Sequence, residues 1–156
     1  LNSNSPEEKE KLRFYDDKLL PLYKLYRLET VLEEIQHEKV WLNSGGFLVI
    51  VQTEAFVSID VNSGKNRSRR EEALFAINVE AAKEIARQLR LRNISGMILV
   101  DFINLKKKEQ QQKLISVIRE ELQKDSVPAN FIDITRLGLV ELTRKKVYKS
   151  LREILS

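Results

Sequence analysis

The stretch FVSIDVNSGKNRSRREEALFAINVEAAKEIARQLRLRNISGMILVD, residues 56–101, decides the fold. It opens with an apolar run that ends in Asp60 and closes with a second apolar run that ends in Asp101. Between them, a polar loop leads into a segment from about Arg70 to Leu91 whose apolar residues recur at the three-and-four spacing of an amphipathic helix. A strand, a helix and a second strand form a βαβ unit, so we expect two parallel strands joined by a right-handed crossover.

Further elements are predicted on both sides of this unit. A glycine-containing turn joins two upstream apolar runs and predicts a hairpin, and a periodic segment and two more apolar runs follow downstream. The predicted flanking elements are strands at about 40–42, 47–51, 131–134 and 139–142, and a helix at about 107–124. Together these patterns predict an α/β fold with a mixed sheet that contains the βαβ unit and is flanked by helices.

The chain is expected to divide into three segments. Residues 1–35 form an N-terminal segment in which leucines at helical spacing predict an amphipathic helix, residues 36–144 form the α/β domain, and residues 145–156 form a basic, weakly helical tail. At 156 residues, one domain with a self-sufficient core is the expectation.

The composition excludes several kinds of site. With 42% apolar residues and a net charge of +4, from 27 Lys and Arg against 23 Asp and Glu, the chain is typical of a soluble globular protein. It has no cysteine and one histidine, which excludes a disulfide scaffold, a thiolate zinc site and cysteine catalysis. We interpret the single histidine, His37, as a solvated position in a helix. Oxygen atoms therefore remain as the available metal ligands.

No segment marks the chain for a membrane. No apolar run approaches the roughly 18 residues of a membrane span, and the first residues lack the charged and apolar regions of a signal peptide. We therefore expect a cytoplasmic protein without a membrane span.

The positive charge is clustered along the chain. The clusters are Lys65, Arg67, Arg69 and Arg70; Arg87, Arg90 and Arg92; Lys106, Lys107 and Lys108; and Arg144, Lys145 and Lys146. A solvated face explains any one of them, but four together favour a polyanionic partner. Lys65, Arg67, Arg69, Arg70 and Lys106 also surround the two predicted strand ends, where they would face such a partner.

The two aspartates point to metal chemistry. Parallel strands have their carboxyl ends at one edge of the sheet, so Asp60 and Asp101 should lie side by side there, in a partly desolvated setting. A hard divalent cation relieves the repulsion between two such carboxylates, and Mg²⁺ suits one or two carboxylates with water and phosphate. Asn62, two residues after Asp60, should point to the same side of the strand. The alternative is that both aspartates only terminate strands and cap loops.

Several separated motifs resemble, in order, the catalytic core of the ribonuclease E/G family. They are residues 56–63, 78–82, 84–92, 95–103 and 134–141, preceded by Ser44-Gly45-Gly46 and Thr53-Glu54-Ala55. The resemblance extends from about Leu19 to Ser150. It implies the deoxyribonuclease-I-like subdomain of that family's catalytic region, with the residues before about Gln36 resembling the end of a ribonuclease-H-like subdomain.

The resemblance implies a function. It implies a Mg²⁺-dependent endoribonuclease that cuts single-stranded RNA in RNA processing and decay, with Asp60 and Asp101 as metal ligands and Asn62 assisting. The alternative is a non-catalytic RNA-binding or protein-interaction module with the same fold. Two carboxylates that face a polyanion speak against that alternative, because a pure phosphate binder gains nothing from them.

The chain also departs from the family's pattern. No RNA clamp and no 5′-phosphate sensor precede the match, so we expect weak cleavage and no 5′-end discrimination by this chain alone. The resemblance allows a homo-oligomer in a full-length protein, but the family's paired-cysteine zinc link is absent from this chain. Asn104 stands where the family often has an acidic residue, and the loop after Asn62 is shorter and more basic than is usual there.

Overall fold

The computed structural model describes residues 37–147, together with residues 25, 27–29 and 155. The chain divides into two compact units, Leu1–Gln36 and His37–Ser156. Residues 25, 27–29 and 155 are helical. The rest of the helix predicted before residue 36 and most of the predicted basic tail lie outside the described residues. No helix in the described part of the chain has the length and apolar character that a membrane span requires.

The second unit is built on one six-stranded mixed sheet. Its elements are β1 (Lys39–Trp41), β2 (Phe47–Gln52), β3 (Val57–Asn62), α1 (Glu71–Leu91), β4 (Gly96–Asp101), α2 (Lys108–Gln123), β5 (Ala129–Ile134) and β6 (Val140–Arg144). The strand order is β1-β2-β3-β4-β6-β5. Strands β3 and β4 are parallel and every other neighbouring pair is antiparallel. The predicted α/β fold with its βαβ unit is confirmed.

Some predicted boundaries differ from the observed ones. Strand β3 does not stop at Asp60 but continues to Asn62, because β2 pairs with it as far as Phe47 opposite Asn62. His37 is exposed, as expected, but it lies outside any helix, just before β1. The helical interpretation of His37 was wrong, because His37 has no regular secondary structure and the chain bends at Glu38 before it enters β1.

Helices α1 and α2 cover the same face of the sheet. Along α1 the predicted apolar stripe is buried, and α2 buries a matching stripe and packs against α1. The buried helix residues are Ile77, Ala81, Ile85 and Leu89 of α1 and Leu114, Ile118 and Leu122 of α2. They meet alternate residues of the strands, such as Ile59 and Val100, in one apolar core. We call the opposite side of the sheet, which carries Asp60 and Asp101, the outer face.

Candidate active site

Asp60 and Asp101 are direct neighbours across the parallel pair β3 and β4. Neighbouring strands lie about 4.8 Å apart, and register partners point to the same face. The preceding pair, Ile59 and Val100, points into the core, so the two aspartates point to the outer face. Both are exposed. The expected partly desolvated setting was therefore wrong, since no other described element covers the two carboxylates.

Asn62 joins this pair from the same strand. Its amide nitrogen Nδ2 donates a hydrogen bond to Oδ2 of Asp60 at 3.4 Å. Because side chains two residues apart on a strand share a face, the amide stands beside the carboxylate on the outer face. The bond orients the carboxylate and turns the amide oxygen of Asn62 away from it.

The loop after β3, residues 63–70, carries most of the predicted RNA-binding charge, and we call it the basic loop. Its basic side chains are all exposed: Lys65, Arg67, Arg69 and Arg70. The loop is held against the turn between β1 and β2: the backbone N–H of Lys65 donates to the carbonyl of Gly45 at 2.9 Å, and Nδ2 of Asn66 donates to the carbonyl of Ser44 at 3.4 Å. Its cations are therefore carried by a fastened loop beside the site.

Gly64 lets the basic loop approach that turn. Its φ of +56° lies in the left-handed region, and a Cβ there would collide with the carbonyl oxygen of Gly45 and lie 2.9 Å from the ring of Phe47. Only glycine fits both the backbone conformation and the space.

Lys106, the fifth predicted RNA-binding residue, lies near the end of the basic loop. Its backbone N–H donates to Oε1 of Glu71, the first residue of α1, at 3.3 Å, and Arg70 immediately precedes that helix. Nearby, Nζ of Lys107 lies 3.7 Å from Oε1 of Glu72 in an exposed ion pair. The exposed side chain of Lys106 therefore adds to the charge at this end of the sheet.

Asn78 of α1 fastens the chain that follows Asp101. The side chain is fully buried. Its Nδ2 donates to the carbonyl of Ile103 at 2.7 Å, and its Oδ1 accepts from the backbone N–H of Ile103 at 3.0 Å. This reciprocal pair fixes the path of the backbone two residues beyond Asp101.

Glu80 of α1 fastens the turn between β1 and β2 in a similar way. Its carboxylate accepts hydrogen bonds from the backbone N–H groups of Asn43 and Ser44. The turn in turn holds the basic loop. One helix therefore positions both backbone segments that border the candidate site.

Two arginines of the predicted charge clusters are structural. Arg92 is buried: its Nε donates to Gln88 at 2.8 Å and its Nη2 to the carbonyl of His37 at 2.6 Å, and burial lowers its pKa. Arg144 is buried in an ion pair with Asp125, with 2.8 Å between Nε and Oδ2. Neither arginine is available to a polyanion, so the contribution expected of them was wrong.

The pKa of Asp125 reflects its ion pair with Arg144. Burial by itself raises its pKa, but the hydrogen bonds from Arg144 and from the backbone N–H of Val127 outweigh burial, so that the pKa lies below its usual range. The side chains of Asp125 and Arg144 are 2% and 4% exposed. The pair therefore joins the end of β6 to the segment after α2.

A cavity of about 330 Å³ opens beside Asp101. It lies between the loop after β4, helix α2 and the turn between β5 and β6, and Asp101, Ile103, Leu114 and Leu137 are among its lining residues. Its size falls within the ordinary range of ligand clefts. The candidate site is therefore concave on the side of α2.

Comparison with known proteins gives the family. The sequence profile described as "Ribonuclease E/G family" matches residues 1–147. Ribonuclease G of Haemophilus influenzae is 39% identical over 152 residues, 96% of this chain and 31% of that protein. Ribonuclease G of Escherichia coli K12 is 37% identical over the same coverage, and ribonuclease E of Nostoc is 41% identical over 137 residues, 86% of this chain and 20% of that protein. The chain belongs to the ribonuclease E/G family.

The chain spans about a third of the length of the curated ribonuclease G relatives. The resemblance stated from the motifs is thus confirmed at the level of the family. The division into subdomains and the roles of individual residues stay predictions.

The donor set of the candidate site fits Mg²⁺. Asp60 and Asp101 supply carboxylate oxygens, which are ligands that hard cations prefer, and Asn62 orients Asp60 through its amide nitrogen. No group of three or more acidic, histidine or cysteine side chains among the described residues could hold a metal by itself. Two carboxylates leave positions for water and phosphate, as Mg²⁺ requires.

Asn78 and Glu80 were not predicted from the sequence, although both hold backbone segments that border the candidate site. Asn78 lies within the apolar stripe of α1, next to Ile77, and a polar residue on a core-facing stripe signals a buried hydrogen bond. That signal was available. No local pattern marks Glu80, because its partners lie more than 30 positions away in the chain.

Proposed function

We propose that this chain is the catalytic region of an endoribonuclease that hydrolyses phosphodiester bonds in single-stranded RNA with bound Mg²⁺. One observation carries the proposal: Asp60 and Asp101 are register partners on the outer face, and Asn62 is hydrogen-bonded to Asp60. Two adjacent exposed carboxylates are costly for a protein that binds a polyanion, unless a cation stands between them and the phosphate.

The chain's own groups have distinct tasks in this proposal. Asp60 and Asp101 hold the ion, and Asn62 fixes the orientation of Asp60 and offers its amide oxygen toward a water molecule or phosphate. When bound there, Mg²⁺ would lower the pKa of the attacking water and act as a Lewis acid on the scissile phosphate. Hydrolysis leaves a 5′-phosphate and a 3′-hydroxyl.

The substrate follows from charge and access. The exposed cations of the basic loop and Lys106 border the carboxylates and would neutralise the phosphates on either side of the scissile bond. A single strand can lay its flexible backbone along this surface. The matched relatives carry the name ribonuclease, which agrees with an RNA substrate. The cytoplasmic location stays a prediction.

A cleavage assay tests the proposal. A fluorogenic single-stranded RNA is incubated with the chain in Mg²⁺ and, separately, with chelator. We expect weak Mg²⁺-dependent cleavage that is abolished by Asp60→Asn and by Asp101→Asn, because each substitution removes a ligand charge and keeps the side-chain shape.

Asp133→Asn is the matched control. Asp133 is an exposed carboxylate on β5, two strands away from β4, so its neutralisation should leave cleavage unchanged. RNA that binds in Mg²⁺ and stays uncut would overturn the proposal and favour the non-catalytic module.

A further inference from the structure

A second feature of the outer face lies beside the candidate active site. Trp41 on β1 pairs with Phe47 on β2, and Phe47 pairs with Asn62 on β3. The three side chains therefore form one row across the sheet. Trp41 is 50% exposed, and its ring lies 5.1 Å from that of Phe47, centroid to centroid, at 57°. An exposed tryptophan ring thus stands two strands from Asp60 and three strands from Asp101.

Two lysines surround this ring. Nζ of Lys39 lies 4.3 Å from the Trp41 centroid and 4.2 Å from the Phe47 centroid. Nζ of Lys65, which belongs to the basic loop, lies 4.9 Å from the Trp41 centroid. A patch that combines an exposed aromatic face with cations is complementary to a nucleotide, which has a flat base and a negative phosphate.

We propose that Trp41 is a stacking subsite for a base of the RNA strand, and that Lys39 and Lys65 neutralise the phosphates next to that base. The inference rests on the proposed function, because it assigns one contact of the same substrate. Strand β1 lies two spacings, about 10 Å, from β3 and three spacings, about 14 Å, from β4, which is within reach of a short single-stranded segment whose scissile phosphate lies at Asp60 and Asp101.

Base stacking on Trp41 replaces one lysine–tryptophan contact with two contacts, between base and ring and between lysine and phosphate. An incoming base displaces a lysine ammonium from the face of Trp41, and the released ammonium meets the phosphate of the same nucleotide. Because stacking accepts every base, the subsite adds affinity without sequence preference. The charge of the patch is continuous with the basic loop through Lys65, which favours a polyanionic occupant over an apolar protein surface.

The chain offers a direct reporter, since Trp41 is its only tryptophan. The full chain is titrated in chelator, where RNA is bound and not cut, with single-stranded oligoadenylate and with an abasic ribose-phosphate strand of equal length. We expect the oligoadenylate to quench tryptophan fluorescence, and the abasic strand to bind without comparable quenching.

Variants separate the ring from the fold. Trp41→Ala should weaken oligoadenylate binding by about tenfold, within the roughly 5- to 150-fold range of one stacked base, and should leave the salt dependence unchanged. Trp41→Phe should restore most of the affinity. Met97→Ala is the matched control: Met97 is 43% exposed on the outer face, four residues before Asp101, and its removal should have no effect.

The outcomes distinguish the inference from the proposed function. If oligoadenylate binds without quenching and Trp41→Ala binds as tightly as the parent chain, the stacking subsite is wrong while RNA binding stands. Equal quenching by the abasic strand also overturns the inference. If no RNA binds either in chelator or in Mg²⁺, both the subsite and the proposed function are contradicted.

Discussion

Replacing Asn78 with alanine removes the contact by which α1 holds the chain after Asp101. The side chain is fully buried, and its two hydrogen bonds to the backbone of Ile103 are 2.7 and 3.0 Å long. Asn78→Ala leaves the N–H and the carbonyl of Ile103 without these partners, and each unpaired buried group costs about 1–3 kcal/mol. Because Ile103 is only partly buried, water recovers some of this loss, so we expect a destabilisation of about 2–4 kcal/mol.

Urea unfolding measures this change. With a slope of about 2 kcal/mol per molar urea, the midpoint should fall by roughly 1–2 M. Well below the unfolding transition, cleavage by the folded variant should also be slower. We expect kcat to fall by tenfold or more with little change in KM, because the charge that binds RNA is untouched while Asp101 loses its fixed position.

Gln88→Ala provides the matched control. Gln88 is a second buried polar residue of α1, 4% exposed, and it bonds Arg92 away from the site. The Gln88→Ala variant should lose stability, but its kcat should not fall. The reasoning is refuted if Asn78→Ala unfolds within about 0.5 kcal/mol of the parent chain, or if both variants lose cleavage equally.

Three further changes have defined outcomes. Asp125→Asn leaves Arg144 buried without its charge partner and should cost about 3 kcal/mol at neutral pH. Because the folded pKa of Asp125 lies below the unfolded one, the stabilisation is present above about pH 4 and is lost as the pH falls through the folded pKa, so the variant's urea midpoint should fall less steeply in acid. Gly64→Ala should cost about 2 kcal/mol or more by thermal unfolding and should weaken RNA binding, since the left-handed backbone and the collision with the β1–β2 turn displace the basic loop. Arg67→Ala with Arg69→Ala should lower the magnitude of the salt slope, log affinity against log salt, by about 1.4 from the value of about 2.8 that four neutralised phosphates give on a single strand, and should leave the unfolding free energy unchanged. An unchanged slope would show that the basic loop is only a solvated surface.

The parallel pairing that carries the site was predictable from local patterns. Two short apolar runs separated by a helical segment allow essentially one arrangement, a right-handed βαβ unit, so the adjacency of Asp60 and Asp101 followed. The end of β3 was not predictable in this way. It depends on pairing between Phe47 and Asn62, which are distant in sequence.

The burial and contacts of the charged residues could not be predicted from local sequence patterns either. Arg92 and Arg144 have the same sequence signature as exposed basic residues, and only their contacts to Gln88 and Asp125 make them structural. The exposure of Asp60 could not be read from its strand, because it depends on which elements cover the outer face. Because both carboxylates are exposed, water screens their repulsion, and Asp60→Asn should change the free energy of unfolding by no more than about 0.5 kcal/mol.

The central claim is that Asp60 and Asp101 share one divalent ion, and a double-mutant cycle of ion binding tests it most directly. Mn²⁺, used as a paramagnetic probe for the Mg²⁺ site, is titrated into the parent chain, Asp60→Asn, Asp101→Asn and the double variant, and water-proton relaxation is followed. If one ion bridges both carboxylates, either single substitution lowers Mn²⁺ affinity sharply and the double variant binds little more weakly than the singles. Independent, additive losses, or Mn²⁺ affinity that survives both substitutions, would contradict the account.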